Sequence, residues 1–320
     1  MAIPEILNSN LKIPVVAAPL FIISQPSLVL AQCKAGVVGS FPALNARPEA
    51  MLDEWLAEIT EELDSYKSAN PDKTVAPFAV NQIVHTSNNR LEHDLRMCVK
   101  YKVPILITSL GAVPEVNDAV HSYGGIVLHD IINNRHANSA IRKGADGLIA
   151  VAAGAGGHAG TLSPFALIQE IREWFDGPLL LSGSIANGGA VLAAQAMGAD
   201  MAYIGSPFIA TDEANASEEY KQAIADYNAN DIVYTNLFTG VHGNYLKPSI
   251  EKAGMDPDNL PESDPSAMNF GSGGNADAKA WKDIWGCGQG IGAVKSVGST
   301  EALVDRLTSE YKAAREKLAL

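Results

Sequence analysis

The chain has 320 residues, 47% of them hydrophobic and 18% charged, so it can bury a large core and is long enough for one α/β barrel or two smaller domains. Its net charge of −13 and pI near 4.9 exclude nucleic acid and anionic membranes as main partners, because phosphate-rich surfaces are bound through clustered Lys and Arg, and no such cluster occurs. Cys33, Cys98 and Cys287 are odd in number, far apart and without metal-ligand spacing, which reads as buried small side chains in a reducing compartment.

The N-terminal MAIPEILNSNLKIPVVAAPL lacks a basic segment followed by a long apolar run, so neither signal peptide nor membrane anchor is expected and the chain reads as cytoplasmic. Eight short apolar or β-branched runs follow, at 14–18, 36–40, 77–81, 103–108, 125–129, 146–151, 178–182 and 200–205. Helical periodicity lies between them at 48–66, 89–101, 113–122, 135–143, 164–174 and 188–197, with start signals such as Ser163-Pro164. Continuous apolar strands separated by helices mean a parallel sheet covered on both sides. Eight units in about 200 residues fit a (β/α)8 TIM barrel. An open flavodoxin-like or Rossmann sheet is the competing arrangement.

After Ile209 the rhythm breaks. Residues 211–227 read as helical, and 228–277 are dense in Gly, Pro, Asn and Ser without βα alternation. The expected division is a barrel from 1–210 and 278–320, with 211–277 inserted as a lid-like segment over the active-site face. A final helix over 299–320, apolar at Leu303, Leu307 and Tyr311, returns to the barrel's outer ring.

In such a barrel the chemistry sits at the C-terminal strand ends. His158 stands there, in the glycine-rich VAAGAGGHAGTLSPF at 151–165, where glycines let backbone approach a ligand and an imidazole titrates near cellular pH. LSGSIANGG after the seventh run and YIGSPF at the eighth supply small hydroxyls and glycines of the kind that cradle a phosphate near a helix N-terminus. Neither a P-loop nor a dinucleotide G-x-G-x-x-G opens a helix. The remaining histidines, His85, His93, His121, His129, His136 and His242, show no ligand pairing on a common face; they read as surface or supporting residues, and no metal is expected.

PVVAAPL, FAVNQ, the LHD strand end, GAGGHAG, LLLSGSIANGGAVLAAQAMGAD, AYIGSPFIAT and WGCGQGIG together resemble the flavin-dependent nitronate monooxygenases, once called 2-nitropropane dioxygenases. The resemblance covers about residues 10–212 and 280–310, and 182–211 is its most specific part. It implies a TIM barrel with non-covalent FMN, the phosphate held by Gly183, Ser184, Gly205 and Ser206 and the ring system lying over Ala18, Pro19 and Leu20. Asn81 and Asp130 flank the flavin by the same carry-over, Gly157 belongs to its binding loop, Gln289 reaches toward it, and His158 falls on the catalytic histidine. Many relatives have Met where Leu20 stands, a basic residue where Asp130 stands and Ser where Gly286 stands. A carboxylate at position 130 disfavours a ring that becomes anionic on reduction, unless it is screened or protonated.

The implied reaction takes a small nitro compound and O2 to a carbonyl product and nitrite, with His158 as base toward the acidic C–H. Protonated His158 would instead hold a nitronate anion. The same fold also serves FMN-dependent reductases that pass hydride from NAD(P)H to quinones or enoyl thioesters, and a non-redox phosphate-binding barrel enzyme is a further alternative. A homodimer is left open.

Overall fold

The computed structural model describes residues 3–263 and 283–319. Eight parallel strands form one sheet: β1 (Val15–Ala17), β2 (Gly39–Pro42), β3 (Phe78–Ile83), β4 (Ile105–Ser109), β5 (Ile126–Ile131), β6 (Gly147–Val151), β8 (Leu179–Ser182) and β9 (Met201–Ile204). Their order is β1-β9-β8-β6-β5-β4-β3-β2, and a parallel bridge between Val16 and Val38 brings the two ends together, so the sheet curls into a barrel. Each of the eight predicted runs supplies one of these strands.

Side-chain alternation explains why nearly unbroken apolar strands are needed. In β4, Ile105 and Ile107 fill the interior with Val16, Ala79, Leu128, Ile149 and Leu180, while Leu106 packs outward against the helical layer. Leu7 of the short helix α1 (Glu5–Asn8) joins that interior cluster.

The outer layer comprises α2 (Pro26–Ala35), α3 (Met51–Ala69), α4 (Leu91–Lys100), α5 (Pro114–His121), α6 (Asn134–Arg142), α7 (Pro164–Arg172), α8 (Gly188–Met197) and α12 (Thr300–Lys317). As expected, the C-terminal helix α12 returns to the ring, packing against both α8 and α2. The periodicity did not single out α2, because Leu28, Val29, Gln32 and Cys33 are all buried and no polar stripe marks it.

Between β9 and α12 lie α9 (Ser206–Ile209), α10 (Glu218–Asp226), β10 (Ile232–Thr235), β11 (Gly243–Leu246) and α11 (Lys247–Lys252). The helix expected over 211–227 is shorter than its pattern: Thr211 bridges Gly298, the Asn215 amide bonds to Ile23 O, and Ser217 caps the start of α10 by accepting from Tyr220 N. Strands β10 and β11 pair antiparallel, and β11 also pairs with β7 (Gly157–His158), a two-residue strand in the loop after β6. Of the loop-rich stretch 228–277, residues 264–277 lie outside the described residues. Among the described residues no helix is long and apolar enough to cross a membrane. All three cysteines are buried, and burial pushes the Cys33 and Cys98 thiols up to about 12, which leaves them unreactive.

Candidate active site

A cavity of about 870 Å³ opens at the C-terminal ends of the barrel strands. Ala18, Pro19 and Leu20 after β1, Asn81 on β3 and Asp130 on β5 line it. So do Gly157 and His158 on β7, Gly183 and Ser184 after β8, and Gly205 and Ser206 after β9. Gln289 differs: it is exposed and does not line the cavity, although Gly288 and Gly290 do. Gln289 N–H donates to Gly154 O at 2.9 Å, and its side-chain Oε1 lies 3.0 Å from where a Cβ on Gly154 would stand, so the residue packs against the loop that lines the cavity.

Local sequence builds each part of the wall. Asn45 fastens the loop after β1, donating from Nδ2 to Leu20 O at 3.0 Å and to Ser24 O at 2.8 Å while accepting from Ile22 N at 2.8 Å. Asn81 is anchored across β4 by donating to Ile107 O and Ser109 Oγ. Gly183 has φ +139°, and a Cβ there would sit 2.8 Å from Ala153 O, so only glycine fits this turn. Ser206 Oγ accepts from Gly288 N at 2.8 Å, tying the loop after β9 to the returning segment.

The expected helix-terminus contribution to an anion site takes a different form. The first amide of α8, on Gly188, donates to Glu310 Oε2 at 2.8 Å, and Asn187 accepts from Ala190 N. This helix start is therefore already capped by a carboxylate of the protein itself, and of this region it is the loop residues 183–184 and 205–206 that face the cavity.

The electrostatics follow from burial. His158 lies with Nε2 2.9 Å from Thr239 Oγ1, and desolvation lowers its imidazole to about 4, so it is neutral at pH 7. Asp130 has an Oδ1 sealed from solvent without a hydrogen-bond partner, and burial pushes its carboxyl up to about 7. That bears on the charge problem posed by the sequence: a carboxyl raised this far by burial carries its proton well above the usual carboxylate range. Tyr203 on β9 also lines the cavity, and its phenol is raised well above the ordinary value by burial and by the Asp130 charge.

Sequence reasoning set aside six histidines, yet His85, His129 and His136 line this cavity. His129 is 5% exposed, its Nδ1 is 2.6 Å from Thr108 Oγ1, and burial with the nearby His136 and Lys143 lowers it to about 4. Its position at a strand end, directly opposite Thr108 in the register, was the signal available in the sequence. Thr239 was missed entirely, because nothing in a polar loop 81 residues from His158 announces the contact.

A profile of the nitronate monooxygenase family matches residues 5–310. A nitronate monooxygenase of Paraburkholderia phytofirmans is 26% identical over 95% of this chain and 94% of its own length. Among solved structures, nitroalkane oxidase from Streptomyces ansochromogenes superposes with a TM-score of 0.80 at 22% identity, covering 96% of this chain and 97% of that one. FabK from Thermotoga maritima gives 0.78 at 23% identity, covering 98% and 97%. These two likenesses speak to the fold, whereas the family match spans the barrel, the His158 loop and both glycine–serine pairs: the chain belongs to the nitronate monooxygenase family of flavin-dependent oxidoreductases.

Proposed function

We propose that this chain binds FMN and oxidises nitronates and nitroalkanes with O2 to a carbonyl compound and nitrite. The observation that carries the reading is the shared cavity: a neutral imidazole and two glycine–serine pairs face one space of about 870 Å³, within the usual size range of ligand pockets. The donor set fits a phosphorylated flavin. A Cβ on Gly205 would lie 3.2 Å from Leu20 Cδ2 and 3.4 Å from Ala18 Cβ, so the missing side chain keeps open the space between the phosphate cradle and the floor. The unpartnered Oδ1 of Asp130 is a polar atom that a ligand in this cavity would satisfy.

In this assignment Gly183, Ser184, Gly205 and Ser206 hold the phosphate, Ala18, Pro19 and Leu20 support the ring, and Asn81, Asp130 and Gly157 border it. Bound FMN supplies the electron transfer to oxygen. His158, uncharged at pH 7, takes the proton from the carbon next to the nitro group. Its low basicity disfavours the alternative in which a standing imidazolium holds the nitronate. Within the inserted segment, Leu237, Phe238, Thr239 and Val241 line the cavity from outside the barrel and act as a cover that keeps water from the reacting atoms.

A visible spectrum of the purified protein, followed by anaerobic titration with ethylnitronate and separately with NADH, tests the reading. Flavin bleached by ethylnitronate, and nitrite released on admitting air, is the expected result. Rapid bleaching by NADH alone would make the chain a reductase. A colourless protein that takes up no FMN would make it a non-redox phosphate-binding barrel.

A further inference from the structure

The loop after β1 turns sharply at residues 20–24, and Leu20, Phe21 and Ile23 of this turn line the cavity. Ile22, between them, has φ +67°. A β-branched residue is an outlier there, because its Cβ crowds the backbone carbonyl, and such strain persists only where the surroundings over-determine the conformation.

The surroundings here are specific. Ser24 N donates to Leu20 O at 2.9 Å and Leu20 N donates to Ser24 Oγ at 3.0 Å, closing the turn on itself. The Asn45 carboxamide plugs it: Oδ1 accepts from Ile22 N at 2.8 Å, while Nδ2 donates to Leu20 O at 3.0 Å and to Ser24 O at 2.8 Å. A primary amide has two N–H donors, so both are spent on this turn. From the other side Asn215, in the inserted segment, donates from Nδ2 to Ile22 O and from its own backbone N–H to Ile23 O, each at 3.1 Å. Asn45 is itself held in place. It ends the 3-10 turn Ala43–Asn45, where Arg90, 5% exposed and paired with Asp94 at 3.0 Å, donates to Ala43 O at 3.3 Å and to Ala46 O at 2.7 Å.

We infer that Asn45 is a positioning residue that holds the turn 20–24 in its left-handed form, so that this wall of the cavity is set by the protein rather than by the ligand. A pre-formed wall spares the ligand the free energy of ordering it. Were the turn in this form only a tenth of the time, the apparent dissociation constant would rise about tenfold. That the ligand is FMN rests on the proposed function; the clamp on Ile22 does not.

Two pairs of variants test this. Asn45→Asp keeps the shape of the side chain and takes away both donors, so its FMN dissociation constant, read by quenching of flavin fluorescence well below the melting temperature, should rise about tenfold. Adding Ile22→Gly should recover most of that loss and adding Ile22→Ala should not, since glycine enters the left-handed region freely and alanine does not. A folded Asn45→Asp that binds FMN as the wild type does, or a loss that glycine fails to recover, overturns the inference. The second pair needs no ligand. In the otherwise native chain, Ile22→Gly should be more stable than Ile22→Ala by roughly five- to tenfold in the folding equilibrium constant, the reverse of the order at a residue with negative φ. Ile22→Ala at or above Ile22→Gly also overturns it. This comparison decides even if Asn45→Asp does not fold or the wild type takes up no FMN, and the latter outcome would sink the proposed function alone.

Discussion

Two cavity residues owe their character to their surroundings rather than to their type. His158 is uncharged at pH 7 because burial lowers it to about 4. His158→Ala should keep its flavin, since the proposed phosphate cradle lies on other loops, and should lose about 10²- to 10⁴-fold of turnover on neutral nitroalkanes. Visible absorbance and oxygen uptake check this, and unchanged turnover would remove the imidazole from the chemistry. Asp130 is shifted the other way, to about 7. Its raised folded value means that the native state holds this proton more tightly than the unfolded chain does, so its contribution is complete below pH 4 and is lost as pH rises through about 7. His129 and His158, both lowered, contribute with the opposite sign, their stabilisation being lost as pH falls from 6.5 toward 4. Comparing wild type with Asp130→Asn isolates the carboxyl. The advantage of the Asn variant in urea denaturation should grow by roughly 4 kcal/mol between pH 4 and pH 7.5. A constant difference would mean that water reaches this carboxyl.

Elements were legible where packing and periodicity agree. Helix α8 runs from Gly188 to Met197 as its pattern predicted, with Asn187 capping one end and Gly198 in the left-handed conformation at the other. Helix α2 was hidden by burial on most sides, and β10–β11 by shortness, since four-residue strands around a polar loop show no alternation long enough to read. The close approach of α8 to α12 is fixed by one residue. A Cβ on Gly188 would lie 2.1 Å from Tyr311 N and 2.2 Å from Leu307 O, both backbone atoms. Gly188→Ala should therefore cost about 1–3 kcal/mol through overpacking and lower the thermal midpoint. Circular dichroism melting measures it, and a neutral substitution would show that α12 can move off the barrel freely.

At the scale of the whole molecule, Asn81 on β3 and Ser109 on β4 line the same cavity from the opposite side of the ring to the loops after β8 and β9, so a ligand that fills it ties the two halves of the ring together. Binding to the native state alone should raise stability by about 2.7 kcal/mol at a ligand concentration 100 times the dissociation constant. Added FMN should raise the melting temperature of stripped protein, and riboflavin at the same concentration should raise it much less, because it lacks the phosphate that the proposed function assigns to the glycine–serine pairs. Equal shifts would place the phosphate outside the cradle.

The sequence alone determined the barrel, because a parallel strand buried on both faces must be apolar throughout and its crossover helix must show a 3.6-residue period; these are local demands, written locally. It also marked His158 and the two glycine–serine pairs, since tight turns and small hydroxyls leave a signature within a few residues. Only the tertiary structure decided the packing of Gln289 against the Gly154 loop, the burial that neutralises His158 and His129, the raised carboxyl of Asp130 and the contact with Thr239. Each of these depends on which distant segment closes over a residue, and the free energy of desolvation is a property of that enclosure, to which the residue's own neighbours in the chain contribute little.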